Sequence, residues 1–398
     1  REFDFRQRGA AQAAVYFVGT ANSGGTINAS TSAGISLTST GPVSLTQLNV
    51  SNGQADGIAG SIVNGLSLNN VDVTGNGNAA GENGVDISNL GGTSTWTNST
   101  FTGSFENNAA ISNSAGTMRL TITGSTFSGN STTTGNAGLI INTDGSTQNF
   151  VTLSRWRFSN NRGSHFELRS VGSSDASTSN LIFTGNTLAN PQGSSTVGGG
   201  PTLGAGILVL GSGAHHTIFD ISANNIQDAV LAAIQINLNS QSGVSALMEG
   251  TIANNIIGTI GDALSGSHQA TGIAIDAHGR GTETVNISGN TIRETLDTGI
   301  SVSANDGNGA LNLTVQGNTI VPAQNNPLGS REAITLNIGA SSANVLGAID
   351  NHTVRLDIFG NTLDGGAFGT TAANGQPGDF RDEAGLLGLE LSLNLGRT

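Results

Sequence analysis

Along most of the chain apolar and polar residues alternate in short runs, and the runs recur. GVDIS, AAISN, GLIIN, HFELR, GILVL, AAIQI, GIAID, GISVS and EAITL each set apolar side chains on one face of an extended segment. Ile207 and Val209, Ile234 and Ile236, Ile273 and Ile275, and Ile300 and Val302 share such faces, which predicts strands. A companion segment recurs beside them: SLNNVDV, TNSTFTG, TGSTFSG, LSRWRFS, TGNTLAN, SANNIQD, IANNIIG, SGNTIRE, QGNTIVP and FGNTLDG. Its closing apolar residues are Val71, Phe101, Phe127, Phe158, Leu188, Ile226, Ile256, Ile292, Ile320 and Leu363, spaced 26 to 43 residues apart with Gly/Ser-rich stretches taking up the difference. One turn of two or three short strands cannot bury its apolar face alone, but stacked on a copy of itself it can. The pattern predicts an all-β chain, a single-stranded parallel β-helix (β-solenoid) of about ten to twelve coils.

Two places before each closing residue stand Asn69, Ser99, Ser125, Trp156, Asn186, Asn224, Asn254, Asn290, Asn318 and Asn361. Asparagine tolerates the left-handed backbone of a corner, and stacked amides at a spacing of about 4.8 Å can bond to one another. An Asn ladder is therefore expected, with Asn186, Asn224, Asn254, Asn290, Asn318 and Asn361 as its members. Thr100, Thr126, Thr187, Thr291, Thr319 and Thr362 follow in the next column and predict a second stack.

Phrases such as ISGNTI, VQGNTI and FTGNTL, followed by GIxV strands, resemble the right-handed parallel β-helix repeats of the pectin-lyase-like superfamily over roughly residues 46 to 395. The resemblance implies the right-handed coil. It leaves activity open, because that superfamily includes polysaccharide lyases and hydrolases, phage tailspikes and bacterial surface adhesins. The Gly/Ser/Thr/Asn-rich texture is most similar to the secreted and surface adhesin-type members.

Composition narrows the field further. The 59 glycines and 10% charged residues disfavour long helices, and every one of the 14 positive charges is an arginine. A net charge of -13, without a basic cluster, excludes nucleic acid and anionic membranes as expected partners. The chain has no cysteine, which fits an exported bacterial protein, secreted or held at the cell surface. It begins with Arg1 and carries no signal-peptide pattern, so it is expected to come from a longer precursor. No stretch approaches a membrane span. The expected organisation is a cap or irregular first coils over 1–45, the β-helix over 46–380, and a Leu-rich strand over 381–398. In that last segment Leu387, Leu389, Leu391, Leu393 and Leu395 share one face, expected to form the last coil or to lie over the end of the helix. The sharper alternative is strand addition to a neighbouring copy, giving a head-to-tail filament.

Chemistry-bearing residues are few. Lyases of the resembled superfamily use Lys or Arg as a base with acidic residues holding calcium, and its glycosidases use paired carboxylates with a Gly-His-Gly. Only IDAHGRG, with Asp276, His278 and Arg280, comes near, and it lacks the acidic pair; its first reading is a polar turn and its second a catalytic or ligand site. Asp382 and Glu383 form an acidic pair in a Gly/Pro-rich loop, and His215 and His216 read as surface histidines before metal ligands. SRWRFSNNRGSHFELR gathers Trp156, Arg155, Arg157 and Arg169, a candidate binding patch weighed against ion pairing on a solvated face. GNGNAAGENGVD gives only a weak calcium signal, and Asn98 and Asn286 head triplets of glycosylation type that arise readily by chance here. No other cofactor or metal is expected. The expected role is non-enzymatic: a structural or adhesive rod, filament subunit or adhesin passenger, with itself or a surface glycan as partner. The alternative is a glycan-active enzyme or a tailspike-like glycan binder.

Overall fold

The structure, a computed structural model, describes residues 3–6, 15–18, 25–131, 133–171, 177–189, 204–240, 246–305, 307–321, 332–338, 352–363, 380–382 and 393–395. These residues form strands and connecting turns without a helix, and the strand pairings between successive coils are parallel. The chain is a parallel β-helix. It divides into two compact units, one mainly Arg1–Ser170 with Ala176–Ser194 and Gly198–Gly204, the other mainly Ala205–Thr398.

In the first unit the strands Val85–Thr97, Ala109–Thr123 and Leu139–Ser154 are long, and each is followed by a three-residue strand, Thr100–Thr102, Thr126–Ser128 and Arg157–Ser159. Register puts Ile58, Val85, Ala109, Leu139 and Phe166 in one inward column. The closing residues Phe101, Phe127 and Phe158 stack directly, with ring centroids 4.6 and 5.4 Å apart, and Trp96 and Phe183 extend the stack at either end. Each large apolar side chain so buried contributes about 1.5–3 kcal/mol. Because the side chains repeat at the coil spacing, an aromatic on one coil meets an aromatic on the next.

In the second unit each coil has three strands. Ile207–Ser212, Ile234–Ser240, Ile273–Gly279, Ile300–Asn305 and Ile334–Ile338 form one sheet; His216–Ser222, Leu247–Ala253, Thr282–Ser288, Ala310–Gln316 and Thr353–Phe359 form the next. Ile207, Ile234, Ile273, Ile300 and Ile334 make one buried column, and Val209, Ile236, Ile275, Val302 and Leu336 its neighbour.

At the corner between the second and third strands the predicted Asn column needs correction in two coils. Asn255, not Asn254, carries the ladder: Asn224 N–H and Nδ2 donate to Asn255 Oδ1 at 3.0 and 2.9 Å, and Asn255 N–H and Nδ2 donate to Asn290 Oδ1 at 2.9 and 3.0 Å. The ladder continues from Asn290 to Asn318 and from Asn318 to Asn361 by the same pair of bonds. Asn254 is exposed with φ 56°, and the closing residue of that coil is Ile257, while Ile256 is 51% exposed. Two adjacent Asn and two adjacent Ile make the sequence ambiguous by one place there. In the first unit Val73, not Val71, pairs with Phe101, so Val71 occupies the ladder position and its N–H donates to Ser99 Oγ, leaving Asn69 on the outer face.

The physical reason for the column also differs from the expectation. The left-handed residue is the one before it: Asn98 (φ 49°), Arg155 (φ 60°), Ala223 (φ 56°) and Asn254, with Gly289 (φ 64°) and Gly317 (φ 62°) in the GN coils. That residue turns the chain, and the next side chain is swung inward. Each ladder Asn then serves backbone as well as amide, as in Asn290 Nδ2 to Ile252 O at 2.8 Å. Buried polar groups are stable only when so satisfied.

Parallel pairing also includes Phe3–Arg6 with Ile35–Thr38 and Val15–Val18 with Val43–Thr46. Leu393 and Leu395 lie in a strand, Leu393–Leu395, that pairs with Leu356–Ile358, whereas Leu387, Leu389 and Leu391 lie outside the described residues.

Candidate functional site

Alternation that turns one set of side chains inward must turn the other outward, so a stacked sheet displays rows of like residues at a spacing of about 4.8 Å. On the second sheet of the second unit one outer row is Asp220, Thr251, Asn286, Thr314 and Asp357, and the row beside it is Ile218, Glu249, Thr284, Asn312 and Arg355. These rows, apart from Asp220, floor a groove of about 990 Å³. Beneath it Gly250 leaves room for the Phe219 ring, since a Cβ at Gly250 would meet that ring at 2.4 Å. Along the groove Arg355 Nη1 donates to Asn312 Oδ1 at 3.3 Å and Asn312 Nδ2 to Thr284 Oγ1 at 3.2 Å, while His216 Nε2 lies 2.7 Å from Glu249 Oε1. Among the described residues, Asn286 Oδ1 is buried without a hydrogen-bond partner. The groove is thus an ordered array of hydroxyl, amide and carboxylate groups.

The first sheet of the same unit holds Asp276 and His278, two places apart on the outer face of Ile273–Gly279. Register sets Asn237 and Ser303 on either side of Asp276, and Asn239 and Asn305 on either side of His278. Burial raises the Asp276 carboxyl above its ordinary range, opposed by the charge of His278 and a hydrogen bond with Gln235. Among the described residues the Oδ1 atoms of Asn237, Asn239 and Asn305 are buried without partners, and Asn305 Nδ2 donates to Ser303 Oγ at 2.9 Å. The row carrying Asp276 offers amide and hydroxyl neighbours, Asn237, Ser303 and Asn337, so it can hydrogen-bond a ligand but places no second carboxylate beside the first. Arg280 is exposed beyond the turn at Gly279.

The arginine-rich coil of the first unit is arranged differently from its expectation as a patch around an exposed tryptophan. Trp156 is only 2% exposed: it occupies the inward corner position, stacks on Phe127 at 4.7 Å and donates from Nε1 to Ile122 O at 2.6 Å. Arg155 and Arg157 are exposed on either side of it, and Arg169 pairs with Glu167 at 2.6 Å. The coil offers Arg155 and Arg157 to solvent without an exposed aromatic beside them.

The two adjacent histidines part company. His215, read as a surface residue, is 1% exposed because it sits at an inward position, while His216 faces out onto Glu249. In the segment with the weak calcium signal the carboxylates bond local donors: Glu82 accepts from Asn78 and Ala79 N–H, Glu106 from Gly81 N–H, and Asp56 and Asp86 from Asn83. Burial above all, with the charges of Asp86 and Glu82, lifts Asp56 to about 6 against the bond from Asn83. Among the described residues no group of three or more His, Asp or Glu is placed to hold a metal ion. Asp382 lies in the strand Phe380–Asp382 paired with Ile334–Leu336, and Glu383 lies outside the described residues.

Of the buried ionisable groups, His165 belongs to the arginine-rich segment already singled out, whereas Glu283 escaped the reading of motifs. His165 lies inside the first unit with Asn161 Nδ2 3.0 Å from its Nδ1, and Asn161 Oδ1 accepts from Asn108 Nδ2. Glu283 lies inside the second unit. For Glu283 the signal was present: in TETVNIS the alternation that turns Val285 and Ile287 inward turns Glu283 inward too.

Comparison with protein-family models, with curated proteins and with solved structures finds no match to this chain.

Proposed function

We propose that the protein is a non-enzymatic β-solenoid of structural or adhesive character, working at the cell surface or secreted, whose outer groove engages an extended glycan. The observation that carries this reading is the row Asp220, Thr251, Asn286, Thr314 and Asp357, five hydrogen-bonding side chains set in register along the coil axis. A polymer that repeats hydroxyl groups along its length is the ligand such a row complements. The finer likeness, to adhesin-type members of the pectin-lyase-like superfamily, belongs to this reading, as does assembly through the strand holding Leu393 and Leu395. Screening against immobilised oligosaccharides tests it. Binding that falls about tenfold in Asn286→Ala, equivalent to about 1.4 kcal/mol, is the expected result. Absence of binding to every glycan class offered would remove the groove from the proposal.

One observation favours a second reading. Asp276, with its carboxyl raised by burial and His278 two places along, has the character of a general acid. Release of reducing ends from a polysaccharide, abolished in Asp276→Asn, would establish the enzymatic reading in place of the adhesive one.

A further inference from the structure

The interior of the second unit contains an ionisable group that neither reading uses. The strand Thr282–Ser288 turns Glu283, Val285 and Ile287 inward, and Glu283 is 0% exposed. Its register neighbours are Met248 and Leu311, both fully buried and neither carrying a side-chain hydrogen-bond donor for it. Among the described residues neither carboxyl oxygen of Glu283 has a hydrogen-bond partner.

The charges around it offer no compensation. Asp276, earlier on the same coil, is the charged group that acts on Glu283, and it is of like sign. On the flanking strand Leu247–Ala253 the ionisable residue is Glu249, which faces outward to His216; Ala310–Gln316 on the other side carries none. His278 and Arg280 of the same coil lie at outward and exposed positions. Charging a carboxyl in such surroundings costs several kcal/mol, so the group keeps its proton, and burial holds it well above the carboxylate range.

We propose that Glu283 is a proton-held latch: the coil bearing Asp276 and the middle of the groove is closed while this carboxyl is neutral, and opens locally when the proton is lost. The same strand contributes Thr284 and Asn286 to the groove, so opening it breaks the polar row at its centre. The latch stands on the geometry of the interior and does not depend on what the groove binds.

The folded value lies above the unfolded one, so the stability due to closure is complete below about pH 4.5 and declines as pH rises, until the folded group itself ionises. Over that window the equilibrium for opening shifts about tenfold per pH unit, which is about 1.4 kcal/mol.

Hydrogen exchange of the full chain, followed by mass spectrometry on peptides spanning 273–313 with the intrinsic pH dependence divided out, reads the opening directly. Protection in this segment is expected to fall above pH 4.5 in the native protein and to fall less steeply in both Glu283→Gln and Glu283→Leu, where the raised carboxyl of Asp276 still contributes. At pH 8 the two variants are expected to be at least tenfold better protected than the native chain, and below pH 4.5 the difference between Glu283→Gln and the native chain closes. A native profile that is level with pH, or one that Glu283→Gln reproduces, would overturn the latch. Two variants guard against misfolding, because one keeps the shape of the side chain and the other suits its apolar setting.

Discussion

A single buried imidazole makes the first unit sensitive to acid. His165 is enclosed with Asn161 at its Nδ1 and no partner at Nε2 among the described residues, and burial lowers its pKa to about 3 from 6.5. The folded ring is therefore neutral where the unfolded ring takes a proton. Stability from this group is fully present above pH 6.5 and is lost as pH falls toward 3, at about 1.4 kcal/mol per pH unit. Asp56, raised to about 6, works in the opposite direction: its contribution is present below 3.8 and lost as pH rises through about 6. Replacing His165 with Leu is expected to flatten the acid limb while leaving the Asp56 contribution in place. The chain's two tryptophans, Trp96 and Trp156, both belong to the first unit, so tryptophan fluorescence against pH reports this unit. An acid limb of the same slope in His165→Leu would refute the assignment.

At the scale of the strand and its corner, neighbouring asparagines have opposite roles. Asn255→Ala removes the acceptor for two bonds from Asn224 and the donor to Asn290, leaving buried polar groups unpaired at about 1–3 kcal/mol each. Asn254→Gly relieves a non-glycine residue at φ 56° and exposes nothing, so it is expected to be neutral or slightly stabilising. Urea midpoints followed by circular dichroism separate the two, and equal effects would show that the corner had been misassigned. The same contrast holds between Trp156 and Arg157. Trp156→Ala opens the aromatic stack and is expected to cost about 3–5 kcal/mol, whereas Arg157→Ala, on the exposed row with Thr126 and Thr187, stays within about 0.5 kcal/mol. Much of this was legible beforehand, because alternation marks which strand residues face in. The corner was less so: a left-handed residue can be Gly, Asn, Arg or Ala, and that variety hides the turn in any one coil.

Taken whole, the chain carries a charge of -13 with 14 arginines to balance 27 acidic residues. Like charges at this density repel one another in the compact state. Raising ionic strength from about 0.01 M to 0.15 M shortens the screening length from about 30 to about 8 Å, so thermal midpoints at pH 8 are expected to rise with salt. A midpoint indifferent to salt would mean that local pairs such as Arg169 with Glu167 already absorb the repulsion. Repetition also limits how far damage spreads, since each coil contacts chiefly the next. Substitutions at Asn286 or Asp276 should therefore alter binding at the surface while leaving distant coils unchanged.

The recurring pattern of the sequence determined that strands of period two stack in parallel, because an apolar face repeated at coil intervals has no other way to leave water. It also determined that most corners carry a polar residue. Which residue of a polar pair turns inward was decided by register, and register depends on what lies on the adjacent coils: Asn255 aligns with Asn224 and Asn290, and Val73 with Phe101. The burial of Trp156, the side-by-side rows of the groove and the isolation of Glu283 came from the same source. Each is a relation between residues about 30 positions apart, brought within one strand spacing only when the chain has coiled.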